Sequence, residues 1–266
     1  PPPRPPPAPD RPPRPHPRPV STPGTGLQSK FNQISTYRGV PKGLSPPTSK
    51  EREKPEESRN YELGSRFAMG NFSGELIGFY NDYSNLLGSD LAATGGTGSL
   101  EQFNAGEVDV TGLEVLLNYN ALNNHKKLRL PITFAYTYTH AEFQSSFDSP
   151  NDIWGEVTKG DEMPYIPKHQ FNTLISLEHP SYELNLSGRY NGAFRTKAGI
   201  GSIPANESVP SSFVIDFSAK YHLNDHLSIN GRIINLLDET YAVSRVPAGL
   251  RPGHPFGASI GILLRY

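Results

Sequence analysis

Apolar side chains occupy every second position between residues 213 and 221. Phe213, Ile215, Phe217, Ala219 and Tyr221 share one face, and Asp216, Ser218 and Lys220 share the other. A period of two marks a β-strand, because successive side chains of an extended chain point to opposite sides. The same alternation sets Leu227, Ile229, Gly231 and Ile233 against Ser228, Asn230, Arg232 and Ile234. It sets Ala258, Ile260, Ile262, Leu264 and Tyr266 against Gly257, Ser259, Gly261, Leu263 and Arg265. Earlier runs behave alike: Tyr182 to Tyr190, Ile132 to Thr139 and Thr111 to Tyr119 each alternate an apolar and a polar face. Less regular runs at about 32–40, 58–69, 74–87 and 168–178 bring the number of predicted strands to ten.

The connections between these runs alternate in length. Long ones cover about 41–57, 88–106, 141–167, 194–210 and 237–254, and short ones lie near 70–74, 121–127, 179–181 and 222–226. Hairpins joined in this way put every long loop at one end of the sheet. That is the plan of a transmembrane β-barrel, with short periplasmic turns and long outer loops. A soluble sandwich distributes its connections over both ends. Aromatic residues near strand ends, such as Tyr119, Tyr138, Tyr190, Tyr221 and Tyr241, suit interfacial girdles. The predicted fold is therefore all-β, antiparallel and membrane-spanning. The apolar faces point to lipid and the polar faces inward.

Composition agrees and narrows the possibilities. A mean hydropathy of −0.52 is expected when only alternate side chains meet lipid. With 25 basic and 26 acidic residues the net charge is −1, which gives no basic surface for nucleic acid. The absence of cysteine excludes a disulfide framework and a Cys-ligated metal. Twelve of the 27 prolines fall in the first twenty residues. Residues 1–24 are expected to form a disordered Pro-rich segment, a spacer or linker, and residues 25–266 the barrel portion. The chain begins without Met or an apolar signal core, so a fragment or a misassigned start is expected.

Several segments resemble TonB-dependent outer-membrane receptors, with the ferric dicitrate subgroup nearest in pattern. Arg38-Gly39-Val40-Pro41-Lys42-Gly43-Leu44-Ser45-Pro46-Pro47 looks like a family strand end and the start of its Pro-rich loop. Lys54-Pro55-Glu56-Glu57-Ser58-Arg59-Asn60-Tyr61-Glu62-Leu63-Gly64 is the most specific match. Gly106 through Glu114, Pro167-Lys168-His169-Gln170-Phe171 and Asn235-Leu236-Leu237-Asp238-Glu239-Thr240-Tyr241 follow in the family's order. The resemblance implies a 22-strand barrel filled by an N-terminal plug, of which this chain would supply the last ten strands. It also implies a ferric chelate as transported ligand, no cofactor held by the protein, and energy from a TonB-ExbB-ExbD system that acts through parts absent here. It implies no enzymatic activity and an outer-membrane location, with membrane lipid as a direct partner.

Two groups of side chains carry the candidate chemistry. Glu62, Arg66, Glu114, Arg189 and Arg232 fall on the polar, lumen-facing side, where the family's plug would sit, as do Asn118, Glu183, Asp216, Lys220 and Arg265. Arg195, Lys197, Arg245, Arg251 and His254 fall in outer loops. A ferric citrate complex is anionic, and a guanidinium offers a planar fork that pairs with carboxylates, so these five are candidates for ligand capture. Two other functions compete. One is a self-contained ten-strand barrel such as an omptin-type protease, with His140, Asp148, Asp152 and Glu156 at its rim. The other is an interaction protein acting through the Pro-rich start.

Overall fold

The computed structural model describes residues 28–38, 57–89, 102–104, 106–122, 125–148, 154–245 and 249–265. The Pro-rich segment 1–24, most of the first long loop, Asp152 and Tyr266 lie outside the described residues.

Ten antiparallel strands form one sheet in meander order. They are β1 (Gln28–Arg38), β2 (Glu57–Met69), β3 (Phe72–Ser84), β6 (Val108–Asn120), β7 (Pro131–Phe143), β10 (His169–His179), β11 (Tyr182–Asn191), β14 (Ser212–His222), β15 (Leu227–Ile234) and β18 (Gly257–Leu264). The intervening numbers belong to four short ribbons inside the long loops. These pair β4 (Leu87–Ser89) with β5 (Gln102–Asn104), β8 (Phe147–Asp148) with β9 (Glu156–Val157), β12 (Phe194–Arg195) with β13 (Ser208–Val209), and β16 (Ala242–Ser244) with β17 (Arg251–Pro252). Elements of two or three residues are too short to show a period, which is why the alternation did not predict them. Strands β1 and β18 form the two edges of the sheet.

The registers carry the faces from strand to strand. Met69, Phe72, Tyr119, Ile132, Ile175, Leu186, Phe217, Ile233 and Ala258 stand opposite one another in a single row across nine strands. A one-residue slip anywhere would break this row, so the apolar pattern and the register specify each other. On the other face Asn118, Thr133, Leu174, Ser187 and Asp216 form the corresponding row.

Large apolar side chains stand exposed on the face of the apolar row. Ile260 is 82% exposed and Ile262 71%, whereas Ser176 on the polar face is 7% exposed and Ser228 5%. Leu63, Met69, Tyr221 and Leu264 are likewise exposed. Such a row costs little when its solvent is hydrocarbon and much when it is water.

The β2–β3 hairpin begins earlier than the alternation predicts. Met69 pairs with Phe72, so the β2–β3 turn is only Gly70–Asn71, and β3 starts at Phe72 rather than near residue 74. Gly70 has φ +58°, a conformation that favours glycine. Gly74 also has a packing reason. A Cβ there would lie 2.5 Å from the ring of Phe67, which covers the gap and meets Phe72 at 5.3 Å between centroids.

Candidate functional site

All the long loops leave the same end of the sheet, where its sole compact apolar cluster among the described residues also lies. Val108 and Phe143 face each other across β6 and β7. Residues 144–148 and 154–168 fold back over them. Phe143 donates its N–H to the Asp161 carbonyl (2.9 Å), and Met163 donates to Ala141 (2.9 Å). These bonds bring Val157, Phe147, Trp154 and Met163 onto Phe143, which is fully buried. The rings of Phe147 and Trp154 meet Phe143 edge-on at 5.5 and 6.0 Å. Here apolar groups turn inward and away from water, so this end obeys the rule of a soluble protein.

A charged junction joins this loop to the next. The Glu162 amide donates to the Gly199 carbonyl (2.9 Å), and the Tyr165 amide donates to that of Arg195 (2.8 Å). The Glu162 carboxylate accepts from Lys168 Nζ at 2.5 Å and from Arg195 Nε at 3.3 Å. Arg195 Nη2 donates to the Gly201 carbonyl at 3.1 Å. Partial burial pushes the Glu162 carboxyl up, but the pull of Lys168 and Arg195 outweighs it and holds the group below the usual carboxylate value. Gly199 makes room for this arrangement, since a Cβ there would come within 2.9 Å of Arg195 Nη1.

The last loop attaches to the same segment. Arg245 Nε donates to the Ser208 carbonyl (2.9 Å) and its Nη2 to that of Ala205 (3.0 Å). Beneath it, Asn235 is completely buried with its hydrogen-bonding groups engaged. Its amide donates to Asp216 Oδ1 (2.8 Å), its Nδ2 to the carbonyls of Glu239 and His254, and its Oδ1 accepts from the Glu239 amide. Asp238 Oδ1 accepts from the Phe256 amide at 3.0 Å. The motif Asn235 to Tyr241 is thus a corner that fixes both the exit of β15 and the start of β18.

The five loop candidates fall in two adjacent loops, as their sequence positions required, but their surroundings differ. Arg195 has a side chain only 5% exposed and is paired with Glu162. Lys197 is half-exposed and stands 4.0 Å from Glu207 Oε1. Arg245 is partly buried against backbone carbonyls. Arg251 and His254 are exposed. Arg251 lies on the β16–β17 ribbon, and the His254 amide donates to Tyr241 Oη at 3.2 Å.

The lumen candidates Glu62, Arg66, Glu114, Arg189 and Arg232 all fall on the polar face by register, and Arg66 Nη2 donates to Glu75 Oε1 at 2.7 Å. Sequence reasoning missed Glu162 and Lys168 as partners. Lys168 was visible only inside the Pro167-Lys168-His169 motif, and Glu162 carries no periodic signal.

Among the described residues, no group of three or more His, Asp or Glu is arranged to hold a metal. His140 is engaged with Glu142 at 3.2 Å, and Asp148 stands opposite Glu156 in the β8–β9 ribbon. A groove of about 550 Å³ opens on the lipid face where Gly78 interrupts the row between Leu63 and Leu113, away from the loop cations.

The family model for the TonB-dependent receptor-like β-barrel matches residues 24–236. The chain belongs to that family. Solved receptors share its fold. The ferric-catecholate import receptor Fiu from E. coli K12, in its closed form, superposes with a TM-score of 0.58 at 17% identity, covering 89% of this chain and 31% of the receptor. The ferric citrate transporter FecA, unliganded, gives 0.59 at 21% identity over 79% of this chain and 31% of its own. The siderophore receptor PiuA from Acinetobacter baumannii gives 0.59 at 19% identity over 80% of this chain and 29% of its own. The chain therefore spans roughly a third of the length of these receptors.

Proposed function

We propose that this TonB-dependent receptor barrel contributes the last ten strands and outer loops of an outer-membrane transporter for a ferric chelate, either ferric citrate or a siderophore. The observation that carries the reading is the junction of three consecutive outer loops bearing Lys168, Lys197, Arg245, Arg251 and His254 above a lipid-facing sheet. Cations on fixed loops suit an anionic ligand, because their positions are set before the ligand arrives. The protein acts as a receptor and not as an enzyme. The transported iron remains in its chelate, and the protein holds no cofactor. Energy comes from TonB with ExbB and ExbD, through parts of the receptor beyond these strands.

Two measurements test this. The refolded chain should retain an iron-labelled chelate saturably, with ferric dicitrate and one catecholate as probes. Retention of neither, with the loops intact by protease protection, would refute the chelate reading. Cells that carry only residues 1–266 in a receptor-deleted background should show no TonB-dependent uptake. Uptake there would show that the other receptor parts are dispensable.

A further inference from the structure

We infer that Glu162 is the positioning residue of the outer wall, holding residues 154–168 and 192–211 as one body so that the neighbouring cations meet a ligand from fixed places. This rests on reading that wall as the chelate-facing one, and it goes further by naming the residue that sets its geometry.

Five connections converge on a stretch of four residues. The Glu162 amide reaches the Gly199 carbonyl, and the Tyr165 amide reaches that of Arg195. The two carboxylate oxygens of Glu162 divide between Lys168 and Arg195. The rings of Tyr165 and Phe194 meet at 5.8 Å. The carboxylate itself is the member the others depend on. Arg195 is buried, and besides Glu162 it has the Gly201 carbonyl as a partner. A guanidinium that loses its counter-charge in such a place is driven toward water. Moving it outward would pull the Arg195 backbone away from Tyr165 and open the β12–β13 ribbon, where Arg195 stands opposite Ser208. The carbonyl of Ser208 is in turn the anchor of Arg245 in the last loop. Disturbance at Glu162 therefore reaches Lys197 and Arg245 through a continuous set of bonds. Neither lies beside Glu162 in sequence. The trio of Glu162, Lys168 and Arg195 also keeps one surplus positive charge, with Lys168 as its more exposed member. The wall thus stays attractive to an anion although Arg195 is withdrawn from the surface.

Hydrogen exchange on the full chain, refolded without ligand, tests the coupling. Glu162→Ala should speed exchange together at the amides of residue 162, Tyr165 and Thr196 by about tenfold or more, leaving β10 and β11 protected. The reversed pair Glu162→Arg with Arg195→Glu should restore most of that protection, because the ion pair is re-formed. Titration with ferric dicitrate, followed by Trp154 fluorescence, should show about tenfold weaker binding in Glu162→Ala and recovery in the reversed pair. Acceleration confined to residue 162, loss of protection throughout β10 and β11, or no rescue by the reversed pair would each overturn the positioning role. So would unchanged binding alongside loosened loops. Linked exchange in a chain that binds neither ferric dicitrate nor the catecholate probe would uphold the coupling and instead refute the anionic-chelate reading.

Discussion

The sheet and the wall of outer loops are built from one chain under opposite rules. In the sheet the apolar row from Met69 to Ala258 faces outward and the serines face inward. At the loop end of the sheet Phe143, Val108 and Val157 are buried, and charged groups close the junction around Glu162. The boundary is sharp: β7 obeys the first rule at Ile132 and Phe134 and the second at Ala141 and Phe143. Hydrophobicity did not change along this strand, but its solvent did. The orientation of an apolar side chain reports the medium around each segment. The fold of the whole protein does not dictate it.

The largest test of that contrast lies in the loops. Phe143→Ala should cost about 3–5 kcal/mol of local stability, as emptied aromatic sites do in ordinary cores. Protease should then cut residues 144–168 while the sheet survives. Loss of the sheet with the loop would mean the two regions are not separate. Next in size is the lipid face. Leu186→Arg, in the middle of β11, should cost roughly 2–4 kcal/mol when refolding into lipid is followed, whereas Asn185→Arg should cost far less. Similar costs at these neighbours would remove the distinction between faces.

The corner between the regions comes third. Asn235→Ala removes the Nδ2 bonds to the Glu239 and His254 carbonyls and the Oδ1 bond from the Glu239 amide, and should cost about 1–3 kcal/mol. Unfolding in lipid would measure it, and a cost below a few tenths would show that water replaces the side chain. The smallest effect is that of pH on the wall. The Glu162 carboxyl titrates lower in the folded chain than its ordinary value of 4.5. Its contribution is therefore present above that value and is lost as pH falls through the folded one. A spin label at Ser202 should stay immobile from neutrality to about pH 4.5 and loosen below it. Loosening near neutrality would assign the control to another group.

The ten strands and their order were legible because lipid on one side and a polar interior on the other impose a strict period of two. The alternation in loop length then gave the common end of the long loops. The four ribbons were not legible, because pairs such as Phe194–Arg195 with Ser208–Val209 are too short to repeat a period of two. The candidate cations were legible as residue types in loops, but their states were not. Nothing local distinguishes Arg195, buried against a glutamate 33 positions away, from Arg251, which is exposed. The motif at Asn235 was legible as a family pattern, and its reason is the set of long-range bonds to Asp216 and His254.

The central claim is that one face of the ten-strand sheet meets lipid and the other does not. Single nitroxide labels placed in turn from Tyr182 to Asn191, with the chain in bilayers, test it most directly. Collisions with oxygen, which concentrates in lipid, should be frequent at 182, 184, 186, 188 and 190. Collisions with a water-soluble nickel chelate should prevail at 183, 185, 187 and 189. A flat profile, or alternation with the two sets exchanged, would contradict the account.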